Sequence, residues 1–163
     1  MSETRNLERS SALDFVELKK RFDKELTNGQ RAEIRRAAKP DDLDFIPAYY
    51  RLIRGGRFGE GWQRVVFLMP YAAHSDMAEN IGTALGRLNN GRPAVSEMRL
   101  FQMVRSEPPN DIVGLKRILQ QVGPTVNWDR FGKAVFFWGK NDKRGIIEDY
   151  FMAGYKKEVE DER

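Results

Sequence analysis

Apolar residues recur along this chain at steps of three and four, the spacing that lines up one face of an α-helix. Phe15, Leu18, Phe22 and Leu26 open the pattern, and Ser11 with Asp14 has capping-box spacing at its start. Thr27 and Gln30 form a second capping box, so a new helix is predicted from there to about Lys39, closed by Pro40. An irregular turn follows over 41–46. Pro47 suits a first helical position ahead of Ala48-Tyr49-Tyr50-Arg51-Leu52-Ile53. Residues 55–61 are glycine-rich and read as a flexible loop. Trp62, Val65, Val66 and Met69 form the next stripe, ended by Pro70. Ser75 is expected to cap a helix to about Leu88, in which Gly82 and Gly86 allow close packing.

Asn89-Asn90-Gly91-Arg92-Pro93 marks the expected boundary between two halves. Ser96 then caps a helix to about Arg105, and Pro108-Pro109 breaks the chain. A helix from Asn110 or Asp111 turns Ile112, Leu115, Ile118, Leu119 and Val122 inward and stops at Gly123-Pro124. Asn127 caps a helix with Trp128, Phe131, Val135 and Trp138. Asp142 is expected to cap the last, with Ile146, Ile147, Tyr150 and Phe151. No segment alternates with a period of two between turn signals. The predicted fold class is therefore all-α: about eight to nine short helices in two packed bundles, with little or no sheet. The expected division is an N-terminal tail (1–9), a first bundle (10–88), a second packed on it (94–155) and a charged, fraying tail (156–163).

The chain's 163 residues are enough to bury a real core, and a hydrophobic share of 40% is that of a folded globule. There is no cysteine, which excludes disulfides, thiol catalysis and cysteine-ligated metal. The first nine residues lack the apolar centre of a signal peptide, and no apolar run approaches the roughly 20 residues of a membrane span. A soluble cytoplasmic protein is expected.

Catalytic signatures are sparse. The single histidine, His74, stands beside Ser75 and Asp76, and sequence neighbours rarely converge as a triad. Asp41, Asp42 and Asp44 are oxygen donors in type, but they sit where acids commonly favour a helix start. The loop at 55–61 lacks the Gly-Lys-Ser/Thr ending of a phosphate-binding loop. No catalytic residue, metal or cofactor is expected.

The charge distribution says more. Net charge is +4, yet residues 99–144 alone hold nine bases against four acids. Arg31, Arg35 and Lys39 stand at helical spacing with Arg36 beside them. Lys116 and Arg117 lie opposite an apolar face, and Lys140, Lys143 and Arg144 cluster at the start of the last helix. Bases near unpaired helix N–H groups suit phosphate, and arginine grips it with paired donors.

Ordered blocks carry a resemblance. Asn28-Gly29-Gln30-Arg31-Ala32-Glu33-Ile34-Arg35-Arg36 is followed by Pro40-Asp41-Asp42-Leu43 and Ile46-Pro47-Ala48-Tyr49-Tyr50-Arg51-Leu52. Leu85-Gly86-Arg87, Arg99-Leu100-Phe101-Gln102 with Arg105, Leu115-Lys116-Arg117-Ile118-Leu119, Trp138-Gly139-Lys140 and Glu148-Asp149-Tyr150 come after. Together they resemble the CasB family, the small subunit of the type I-E CRISPR surveillance complex Cascade. The resemblance implies a helical, non-catalytic subunit present in two copies, set against the guide-binding backbone subunits and the large subunit. It implies contacts with CRISPR RNA and target DNA, including the displaced strand of the R-loop. Carried over by position, the nucleic-acid-binding residues are Arg35, Arg36, Arg99, Arg105, Lys116, Arg117 and Lys140. Asn141 stands where the family often has a second base, with Lys143 and Arg144 one helical step on. The competing readings are a helix-turn-helix regulator using residues 27–38 and a metal-dependent nuclease using the three aspartates.

Overall fold

The computed structural model describes residues 14–54 and 58–161; Ser11 of the first expected capping box and Arg57 of the glycine-rich loop lie outside them. The α-helices are α1 (Phe15–Lys24), α2 (Asn28–Arg35), α3 (Pro47–Ile53), α4 (Glu60–Leu68), α5 (Ile81–Gly86), α6 (Glu97–Arg105), α7 (Asn110–Val122), α8 (Trp128–Phe136) and α9 (Lys140–Asp161). Short 3-10 turns at Pro40–Phe45 and Met69–Tyr71 join some of them. The fold is therefore mostly α, as its periodicity predicts.

Four helix starts carry a side-chain cap close in sequence. Asp14 Oδ1 accepts from the Glu17 amide (2.9 Å). Thr27 and Gln30 exchange both capping-box bonds. Ser96 caps α6 and Asn127 caps α8. α7 stops at Gly123, whose positive φ of 61° suits glycine.

Strand pairing is confined to two dipeptide pairs. β1 (Ala73–His74) lies parallel to β4 (Thr125–Val126). β2 (Leu88–Asn89) and β3 (Arg92–Pro93) form an antiparallel hairpin closed by Asn90 and Gly91, both at positive φ. That dipeptide is the preferred type I′ turn, so the expected boundary at 89–93 is a tight hairpin. α5, before it, packs most extensively on α9, after it, and α1 and α4 both pack on α8. The buried apolar residues on the two sides form one cluster, with Trp128, Phe15, Leu85 and Leu115 fully enclosed.

Three helices differ from the sequence expectation at one or both ends. α2 ends at Arg35, and Lys39 is extended (φ −148°, ψ 161°) because a residue before proline is driven out of helical geometry. The Arg31–Arg35–Lys39 stripe therefore does not form. Arg31 instead donates to the last carbonyls of the preceding segment, Leu26 O and Asp23 O, and to Asn28. The helix expected from Ser75 starts only at Ile81, since His74 is held in the β1–β4 pair. α9 starts at Lys140 because Asp142 reaches back to the Gly139 amide (2.9 Å), and it runs on to Asp161, past the point where fraying was expected.

Burial sets an alkaline limit on this core. Tyr49 is 1% exposed and its hydroxyl has no hydrogen-bond partner among the described residues. Burial, then Asp44 and Tyr50, raises its pKa far above 10.0. Burial likewise raises Tyr71, against a lowering by Arg35, and raises Tyr150 together with Glu97. The unfolded chain then ionises first, so the contribution of these groups is whole below pH 10.0 and is lost as pH climbs toward their folded pKa values. A tyrosinate absorbance titration is expected to show these three ionising together with loss of the helical circular dichroism signal. Three early, independent ionisations would contradict that burial.

Candidate nucleic-acid interface

α7 is the spine of the basic surface. Its 13 residues rise about 1.5 Å each, some 20 Å in all, which is about six steps of a nucleic-acid strand at 3.4 Å. Its inward stripe, Ile112, Leu115, Ile118 and Leu119, is buried. Its outward positions include Arg117, Gln120 and Gln121. The sole acid of the helix, Asp111, is fully buried. The solvent side of α7 therefore carries no carboxylate.

The middle of α7 is joined to the end of α2. Lys116 Nζ donates to Ala37 O (3.3 Å), one residue past Arg36, and lies 5.2 and 5.5 Å from the ring centres of Phe67 and Tyr71. Arg35 and Arg36 are exposed beside that contact, and the charge of Arg35 is felt at Tyr71. Burial, then neighbouring Arg117, lowers the pKa of Lys116 below its ordinary 10.5. Lys116 thus ties the helix that carries Arg117 to the segment that carries Arg35 and Arg36, about 80 positions earlier in the chain.

The far end of α7 is joined to α6. Arg99 Nη1 donates to Gln121 Oε1, and Gln121 is one turn beyond Arg117. α6 and α7 approach closely because Gly114 faces Met103. Arg99 is thereby tied to the solvent side of α7. Arg105 is six positions further along α6, on a different side at about 3.6 residues per turn. Its guanidinium sits 5.1 Å over the Phe101 ring, which in turn lies 6.2 Å from Phe151 of α9.

The near end of α7 is joined to the start of α9, at a buried polar knot. Lys143 Nζ lies 2.9 Å from Asp111 Oδ2, and Trp138 Nε1 donates to the same oxygen (2.9 Å). Asp111 Oδ1 accepts from the Ile112 amide (2.8 Å). The carboxylate sits in the first turn of α7, where the helix dipole favours it. Lys143 is thus engaged in neutralising a buried acid. Lys140 and Arg144, one turn apart, stay exposed beside it.

The other candidate chemistries separate in space. His74 Nδ1 accepts from the Trp128 amide (3.0 Å) while Nε2 meets Asp76 Oδ1 (2.8 Å), so both ring nitrogens are occupied holding the start of α8. Asp42 accepts from the Ala38 and Lys39 amides. Asp44 accepts from Gln63 (2.5 Å), and Asp41 lies 3.9 Å from Lys39. Among the described residues no three potential ligands cluster for a metal, and no helix is long and apolar enough to cross a membrane. For a helix-turn-helix reading, the base-reading residues belong at the N-terminal end of the recognition helix. In α2 that end is spent on the Thr27–Gln30 capping box and on Arg31, and its free arginines are at the other end.

Sequence reasoning missed Gln121, the link between Arg99 and α7; its signal was its place one helical turn from Arg117. It also passed over Arg64, which donates to Val135 O (2.9 Å) and Phe136 O (2.5 Å) and closes the end of α8.

No family model matches the chain. Among curated proteins, it is 32% identical over 145 residues to the CRISPR system Cascade subunit CasB of Escherichia coli (strain K12), covering 81% of this chain and 89% of that protein. It also superposes, with a TM-score of 0.79 and 30% identity, on a chain in the crystal structure of E. coli Cascade bound to a PAM-containing double-stranded DNA target. That match covers 88% of this chain and 97% of the other. On this identity and coverage, joined to the helical fold, the chain belongs to the CasB family.

Proposed function

We propose that this chain is a non-catalytic subunit of a type I-E Cascade, and that it holds the sugar-phosphate backbone of guide–target nucleic acid and of the displaced strand in the R-loop. The observation that carries this reading is the acid-free outer side of α7. It joins Arg35 and Arg36 at one flank, through Lys116 and Arg117, to Arg99 at the other. Arg105, Lys140 and Arg144 stand as exposed outliers of that surface. Guide-binding backbone subunits, the large subunit and a second copy of the chain are its partners in this reading.

The physics suits the role. Exchanging a DNA duplex for a guide–target hybrid is nearly balanced in free energy, so modest backbone contacts tip it. Contacts to phosphate carry no sequence information, which suits a subunit that must serve any guide.

The test is the Arg35→Ala/Arg36→Ala double variant assembled into the complex. Both side chains are exposed, so the melting temperature is expected to hold. Target affinity at physiological salt is expected to fall by about tenfold or more, tenfold being the scale of a single charge-assisted contact. Unchanged affinity in a folded complex would falsify the reading.

A further inference from the structure

A second basic site lies at the opposite end of α2 from Arg35 and Arg36. There Arg21, Arg51 and Arg54 line a cavity of about 280 Å³ together with Glu25 and Gln30. Three guanidinium groups face one carboxylate. Two of the three are held in place. Arg21 Nη1 donates to Leu52 O (3.3 Å); Arg54 Nε donates to Arg51 O (3.1 Å), and its Nη2 pairs with Glu25 (2.9 Å). Arg51 is exposed, and its guanidinium makes no hydrogen bond or ion pair to any described residue. Gln30 has its side-chain oxygen taken by the Thr27 amide (2.8 Å), and its NH₂ group has no acceptor among the described residues. A net-positive cavity with a free guanidinium and a free amide donor is suited to an oxyanion.

The short helix that carries Arg51 also carries an exposed aromatic ring. Tyr50, one residue before Arg51, is 42% exposed, and its ring centre is 6.2 Å from that of Phe58, itself 65% exposed. The Tyr50 hydroxyl donates to Asp44 O (2.7 Å) and Tyr49 packs edge-on at 5.2 Å, so the ring is fixed while one side stays open. Large rings left in water beside arginines are the arrangement that binds single strands: the cations take phosphate and the rings stack bases. A duplex hides its base faces and gains nothing from such a platform.

We infer that the Arg21–Arg51–Arg54 cavity and the Tyr50–Phe58 platform together form a separate site for single-stranded nucleic acid, with a phosphodiester in the cavity and a base on the rings. This rests on the reading that the chain holds nucleic acid, but it uses none of the residues along α7.

The test is fluorescence anisotropy of the full chain with labelled oligothymidylate and, separately, with a duplex of equal length. Arg51→Ala and Phe58→Ala each remove a side chain with few contacts to the fold, so both are expected to keep the wild-type melting temperature. Each is expected to weaken oligothymidylate about tenfold, the effect of losing one stacked base or its phosphate anchor, and to leave duplex affinity unchanged. Iodouracil placed in the oligomer is expected to crosslink to Tyr50 or Phe58. An Arg36→Ala/Arg117→Ala variant run in parallel separates the two ideas. If it leaves duplex binding intact, the α7 surface fails, while the Arg51 and Phe58 effects still stand or fall by themselves. The inference is overturned if wild type does not bind oligothymidylate, if both variants bind it like wild type, or if duplex affinity drops equally. It is also overturned if the variants lose only assembly with the other Cascade subunits, which would assign the site to a protein.

Discussion

Gly86→Val is expected to be the most damaging single change in the described structure, lowering stability by at least about 3 kcal/mol and the melting temperature by about 6–12 °C for a chain of this size. α5 lies against α9 with backbone touching backbone. A Cβ at Gly86 would stand 2.2 Å from Tyr150 O, and one at Gly82 would stand 2.3 Å from Ile146 O. Neither obstacle is a side chain that can swing away, so α5 must lift off. Lifting it uncovers Leu85 and Ile81 and disturbs Tyr150, whose hydroxyl donates to Val95 O (2.5 Å). Gly145, on the same α9 but with open space around its Cβ position, is the control. Gly145→Ala is expected to raise stability by about 0.5–1 kcal/mol through helix preference alone. Thermal denaturation of the two variants checks both signs at once. Equal melting temperatures would contradict a seam in which the α5 and α9 backbones touch.

The second large effect is at the polar knot. Lys143→Met is expected to cost about 3 kcal/mol, because it leaves Asp111, 1% exposed, without its cation. The loss does not come from a weak pair: the ammonium and the Trp138 indole both meet the same carboxylate oxygen, and removing one leaves a charge stranded away from water. Converting the partner as well, in Asp111→Asn/Lys143→Met, is expected to recover a good part of the loss, since the stranded charge goes with it. Arg144→Ala, one residue further on and exposed, is expected to leave the melting temperature alone and to lower target affinity. If Lys143→Met instead melted like wild type and reduced binding like Arg144→Ala, Lys143 would belong to the interface and not to the knot.

What the sequence disclosed and what it withheld follow from how local each cause is. The Thr27–Gln30 box, the Asn127 cap and the Gly123 stop act within one helical turn, so their residue types are enough to read them. Gly82 and Gly86 announced close packing by their spacing, though not that α9 would be the partner. The early end of α2 was legible in Pro40, which dictates an extended Lys39. The Asn90-Gly91 turn was legible as a turn, and its hairpin geometry followed from the dipeptide. By contrast, Lys143 and Lys116 look alike as bases on an outward face. Only the fold shows that one is paired with an acid 32 positions away and the other bridges to Ala37. Arg31 is a similar case: its spacing suited a phosphate stripe, but carbonyls left open at the end of the preceding segment take it first. The family blocks located the basic residues, while the contacts of Lys116 with Ala37 and of Arg99 with Gln121 join segments far apart in the chain.

The central claim is that arginines and lysines from separate helices act on phosphate together along α7. The most direct measurement is the slope of log target affinity against log salt concentration for the assembled complex, with wild-type chain and with Arg36→Ala/Arg99→Ala/Arg117→Ala. Each lost phosphate contact removes about 0.7–0.9 from the slope, so the triple variant is expected to be shallower by about 2 to 3. A slope and affinity equal to wild type, in a complex that assembles normally, would contradict the account.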